Sequence, residues 1–147
     1  MQINVTSQIP ALVEHASELK QRLNGDLTPL MQAIGSVLEG STRQRFVDKK
    51  SPNDVAWAVL MPDTIEAKNG RGNILVDSGD LMRSITNHAS SDSVIVGTDR
   101  PYGKYHQTGT KNADGTKRMA MRPFLGISPQ DEFDINELIV DFMAGDL

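Results

Sequence analysis

The hydrophobic and polar positions divide the chain into a helical stretch, a strand-like stretch and a final helix. From Ala11 the apolar residues Leu12, Ala16, Leu19 and Leu23 recur at spacings of three and four, which predicts an amphipathic helix ended at Gly25. Thr28 ahead of Pro29 reads as an N-cap followed by proline at the first helical position, and Leu30, Ile34, Val37, Leu38 and Phe46 continue a second stripe. Residues 55–61 form a short apolar run around the single tryptophan, Trp57, compatible with a strand or a buried helical turn. Asp63 with Glu66 three residues later predicts a capping pair on a brief helix, and residues 69–73 read as a turn. Residues 85–89 and 93–97 predict two strands around the polar turn Ser90-Ser91-Asp92. Residues 108–117 then read as an exposed loop or hairpin tip, and residues 119–127 as a strand interrupted at Pro123. Ser128, Pro129 and Asp131 mark the start of the last helix, whose buried stripe is Ile135, Leu138, Ile139, Phe142 and Met143.

This order predicts an α+β fold: N-terminal helices, a small and mostly antiparallel sheet, and a C-terminal helix packed on it. A length of 147 residues fits one domain, 1–147, with a helical part (1–47) and an α+β part (48–147). A core of that size needs no staple, and the chain has no cysteine, which removes disulfides, thiol catalysis and thiolate metal sites. The first ten residues lack the layout of a secretory signal, and no apolar run approaches the ~20 residues of a membrane span. A soluble, cytoplasmic chain with no membrane partner is the expectation.

Charge is unevenly placed. The formal net charge of −4 argues against a dedicated nucleic-acid binder. Residues 129–147 carry six carboxylates and no Lys or Arg, whereas residues 100–122 carry six basic residues against one acid, Asp114. Such a layout is either solvated surface or a pair of complementary faces that orient one subunit against a neighbour.

Candidate chemistry is sparse. His15, His88 and His106 make no zinc-binding pattern. A triad of Ser78, His106 and Asp80 can be drawn on paper, without a nucleophile elbow to support it. His15 and His88 read as surface residues, and His106 as a structural hydrogen-bonding residue. No catalytic residue, cofactor or metal site is expected.

Several ordered segments carry a resemblance. They are Trp57 after Ser51-Pro52, then Thr64 and Lys68, then residues 74–81 (ILVDSGDL) with Arg83-Ser84-Ile85. Val94-Ile95-Val96-Gly97 leads into residues 102–109 (YGKYHQTG), and residues 122–128 (RPFLGIS) run into the last helix. Together, from about Phe46 to the end, they resemble the phage virion morphogenesis family, the tail-completion proteins of Mu-like phages and prophages. Asn53-Asp54 stands where the family usually has a glycine turn, a substitution that left-handed backbone tolerates, and Gly103 stands where the family often has alanine.

The resemblance implies a structural protein of the virion tail or neck, present in host cytoplasm during assembly. It would act in tail completion or head–tail joining by binding other phage tail or neck proteins, with a possible homo-oligomeric ring. It also implies a fold-supporting set: Trp57, Ser78 as a helix cap, Gly79, Leu81, Tyr102, Tyr105, Gly109, Arg122 pinning a carboxylate or carbonyl, Pro123 and Phe124. Candidate assembly contacts are Arg100, Lys104, His106, Lys111, Lys117 and Arg118. The rivals are a neck or connector protein of the head–tail interface, a small hydrolase using His106, and a DNA-contacting protein using residues 100–122, whose affinity would fall steeply with salt.

Overall fold

The computed structural model describes residues 2–4, 26–71 and 73–147; the helix expected from Ala11, its end at Gly25, and His15 lie outside them. A 21-residue helix, α1 (Thr28–Asp48), organises the rest. Its start differs from the expectation. Thr28 is already helical, and the carboxylate of Asp26 accepts its backbone N–H at 2.9 Å and its hydroxyl, which holds the Asp26 carboxyl below the usual range. Leu27 therefore holds the N-cap position without a side-chain cap, and the Thr28 hydroxyl donates to Asp26 instead of accepting from the first turn.

The buried side of α1 carries Leu30, Met31, Ile34, Leu38 and Phe46. It lies on a three-stranded antiparallel sheet of order β1–β3–β2, formed by β1 (Gln2–Asn4), β2 (Thr86–Ala89) and β3 (Val94–Gly97). Strand β1, which the apolar pattern did not single out, pairs Ile3 with Val96. The expected hairpin is present: β2 and β3 pair Thr86 with Gly97 and Ala89 with Val94 around a turn closed by Ser90 N–H to Ser93 O at 2.8 Å. Helix α1 approaches the sheet closely at Gly35, where a Cβ would come within 2.9 Å of the fully buried Val94 and 2.8 Å of Asn87 Cγ.

Residues 55–61 form neither strand nor buried helix; only Trp57 is buried, while Val55, Val59 and Met61 stand exposed. Asp54 before them takes the left-handed conformation (φ 60°), which Asp tolerates. Helix α2 (Pro62–Ala67) follows with Met61 at its N-cap and no side-chain cap, because Pro62 starts it and leaves Asp63 inside the first turn. In the short helix α3 (Asp80–Arg83) the cap position belongs to Gly79 (φ 80°), so Ser78 stands one residue outside it. Helix α4 (Gly103–Thr108) precedes a small hairpin, β4 (Thr110–Lys111) with β5 (Lys117–Met119).

The strand expected at 119–127 ends at Met119. Beyond it the backbone needs no sheet, because side chains satisfy it. Gln107 Oε1 accepts from the N–H groups of Phe124 and Leu125 at 3.1 Å each, and its amide donates to Leu125 O at 2.8 Å. Trp57 Nε1 donates to Pro123 O at 2.8 Å.

Helix α5 (Pro129–Ala144) opens on a full capping box between Ser128 and Asp131 and lies chiefly along α1, which itself covers the sheet. Ile135 and Ile139 are buried and Leu138 and Phe142 half-buried, while Met143 is turned to solvent, the last turn having run past the core. Phe46 joins the halves, its ring centroid 5.5 Å from Trp57 and 5.3 Å from Phe124. Among the described residues no helix is long and apolar enough to cross a membrane.

Candidate functional site

Arg122 sets the geometry of a wide surface groove. It is buried, donating from Nε to Ala58 O at 2.8 Å and from Nη2 to Val59 O at 3.0 Å. The planar guanidinium thereby holds residues 58–59 against the end of β5 and turns Val59 outward, leaving it 80% exposed. Beside this staple runs a groove of about 750 Å³. Residues 58–61, α2, α3, α4 and β5 wall it, with Lys68, Lys117, Arg118 and Arg122 supplying positive charge and His106 beside them. Two carboxylates, Asp77 and Asp80, also reach it, and Asp80 is spent on Arg83 at 2.8 Å.

His106 is half-buried at this groove. Burial, and then the neighbouring charges of Arg122 and Lys68, push its pKa below the ordinary 6.5, so it is neutral at pH 7. Tyr102 meets its ring edge-on at 6.2 Å, and among the described residues its buried Nδ1 has no hydrogen-bond partner. Nδ1 thus does not carry the hydrogen-bonding role expected of His106, and its backbone carbonyl accepts Arg122 N–H at 2.7 Å. The triad drawn on paper is not assembled either. The Ser78 hydroxyl goes to Asp80, and Asp80 to Arg83, so neither addresses His106. Among the described residues no group of His, Asp and Glu is placed to hold a metal ion.

Of the candidate contacts, His106, Lys117 and Arg118 come together at the groove, whereas Arg100, Lys104 and Lys111 stand outside its walls. Arg100 lies 3.6 Å from Asp99, and the Lys104 ammonium sits 4.9 Å from the centre of the Tyr105 ring. Ser78, Gly79, Leu81, Tyr102 and Arg122 also line the groove, while Trp57 and Pro123 line a second cavity of about 540 Å³ behind the stapled segment. Phe124 is fully buried, and Gly109 (φ 72°) turns the chain where a Cβ would meet Met119 O at 2.8 Å.

Two roles in the arrangement were not read from the sequence, where Lys68 entered only through the resemblance and Asp131 only as a helix start. Lys68 donates from Nζ to Asn73 O at 3.1 Å and faces the groove with no periodic pattern to announce it. Arg45 and Asp131 form a buried ion pair in which Arg45 also donates to Phe124 O at 2.9 Å and Gly126 O at 3.0 Å. The available signal was an arginine on the apolar side of α1, in step with Ile34, Leu38 and Thr42.

The comparisons with known proteins agree with this picture. The profile of the phage virion morphogenesis family matches residues 8–144. Mu-like prophage FluMu G protein 2 of Haemophilus influenzae is 35% identical over 97% of this chain and 94% of its own. Putative capsid assembly protein G of Escherichia phage Mu is 28% identical over 74% of each chain. No solved structure matches significantly. A profile match that begins at residue 8 takes in the N-terminal helical part as well as the segments from Phe46 onward, and the chain belongs to the phage virion morphogenesis family.

Proposed function

We propose that the protein is a structural component of phage assembly that acts in tail completion or head–tail joining, as one unit, by protein–protein contact and without a chemical step. The observation that carries this reading is a rigidly backed surface that no other described residue covers. Helix α2 has no buried residue, and Val59, Met61 and Ile65 are 80%, 67% and 51% exposed beside the groove. Arg122 holds this surface in shape, and the cationic rim supplies orientation. His106, Lys117 and Arg118 are the candidate contacts within the groove; Arg100, Lys104 and Lys111 flank it. A hydrolase built on His106 lacks an orienting acid among the described residues. A DNA-contacting face would have to do without Arg122, whose guanidinium is occupied.

A head-side role is the second reading, favoured by the name of the phage Mu relative, a putative capsid assembly protein. Deleting the gene from an inducible phage and imaging the lysate separates the two. Filled heads beside unjoined tails, or tails of abnormal length, are the expected result. Empty or misshapen heads would move the role to the head, and normal infectious particles would overturn both.

A further inference from the structure

We propose that the acidic C-terminal helix of one copy docks in the cationic groove of a second copy. The inference deepens the assembly reading and rests on it. Helix α5 buries Ile135 and Ile139 in its own domain. At about 100° per residue, Phe133, Glu137 and Val140 fall on the opposite side, and Phe133 and Val140 are each 60% exposed. Two apolar anchors seven residues apart, with carboxylates between and beside them, are what an amphipathic helix presents to a groove. Asp131 is taken by Arg45, but Glu132, Glu137 and Asp141 are exposed on a helix that has no basic residue.

The groove has the complementary composition. Val59 and Met61 give it apolar walls, and Lys68, Lys117 and Arg118 outnumber Asp77 and Asp80, of which Asp80 is already paired with Arg83. None of its walls comes from α5, so the contact joins two different surfaces of the chain. Contacts of that kind propagate head to tail and close into a ring when the rotation allows. A second copy is favoured over a foreign partner because both halves, opposite in charge and each with exposed apolar side chains, are already in one sequence.

The test uses the full chain in sedimentation equilibrium at low and high salt. The wild type is expected to self-associate at low salt and to dissociate as salt rises. Reversing the groove charges (Lys117→Glu with Arg118→Glu) or the helix charges (Glu137→Lys with Asp141→Lys) should each weaken association about tenfold or more, since like charges then face each other. All four positions are exposed, and unchanged circular dichroism and melting confirm that the variants fold. Mixing the two reversed proteins should restore association, because each contact then again joins opposite charges. Phe133→Ala should weaken association at unchanged melting temperature. A wild type that stays monomeric at low salt overturns the inference, as do reversed proteins that fail to associate on mixing. Either result leaves the assembly role standing if deletion of the gene still blocks particle formation.

Discussion

Asp131→Asn isolates what the buried ion pair contributes. The Asp131 and Arg45 side chains are 2% and 8% exposed. Burial pulls the Arg45 pKa below the usual arginine range, and the Asp131 charge acts in the opposite direction. Oδ2 of Asp131 accepts from Arg45 and also from Ser128 N–H at 2.8 Å, so one oxygen ties α1 to the first turn of α5. Asparagine keeps the shape and one acceptor but leaves the guanidinium without a counter-charge. Breaking a buried pair on one side costs about 3–5 kcal/mol, and the hydrogen bonds from Arg45 to Phe124 O and Gly126 O put this site near the lower figure. For a domain near this size that is a fall in melting temperature on the order of 10 °C. Asp131→Ala also removes the capping box and should cost about 1 kcal/mol more.

Urea unfolding followed by the fluorescence of Trp57 reads the effect directly, because that indole packs on Phe46, the residue next to Arg45. The partner variant Arg45→Met should be destabilised similarly, and the double variant by clearly less than the sum of the two. It should still fall below wild type, since Phe124 O and Gly126 O lose their donors whatever happens to the charge. A loss under 1 kcal/mol for Asp131→Asn, or strict additivity in the cycle, would refute the reasoning.

Gly35→Ala sets a helix-propensity gain of about 1 kcal/mol against a contact with buried Val94 that Ala cannot make without displacement. Overpacking costs about 1–3 kcal/mol, so a lowered urea midpoint is expected and a raised one would show that α1 can lift off the sheet. Gln107→Ala leaves the N–H groups of Phe124 and Leu125 and the Leu125 carbonyl without their partner, for an expected loss of about 2–3 kcal/mol; amide exchange at 124 and 125 unchanged from wild type would contradict it. For His106, the folded state holds the pKa below 6.5, so the folded chain binds its proton less readily than the unfolded one. Stability is complete above the ordinary value and declines as pH falls through the lowered one. His106→Gln should therefore lose less stability than wild type on acidification, and parallel pH profiles of the urea midpoint would discard the assignment.

How far the sequence spoke for itself depended on the range of the interaction. Ser128, Pro129 and Asp131 announce the start of α5 within four residues, and the β2–β3 hairpin needs only its own alternation and turn; both are local signals. Residues 120–127 looked like a strand because apolar composition does not reveal that Gln107, Arg45 and Trp57 will satisfy the backbone from elsewhere. The Arg45–Asp131 pair spans 86 positions, and neither residue type on its own predicts the other. The groove is least legible, since its walls come from several separated segments and its central staple, Arg122, acts across 63 and 64 positions. Charge layout was the exception: the acidic tail and the basic stretch stand out in sequence because each is contiguous.

A protein that works by sticking to others must offer apolar surface without offering it to everything. An open strand edge would be a poor choice, because its unpaired backbone groups accept any extended chain. Here each described strand is at most four residues long, which limits the edges. The apolar display is instead carried by residues 58–61, whose carbonyls at 58 and 59 are engaged by Arg122. With those acceptors already taken, recognition falls to side chains: Val59 and Met61 for area, and the lysines and arginines around them for sign. A net positive rim around an apolar groove disfavours identical grooves and favours acidic surfaces, so on the proposed docking a chain that carries both faces would bind in sequence while avoiding groove-to-groove pairing.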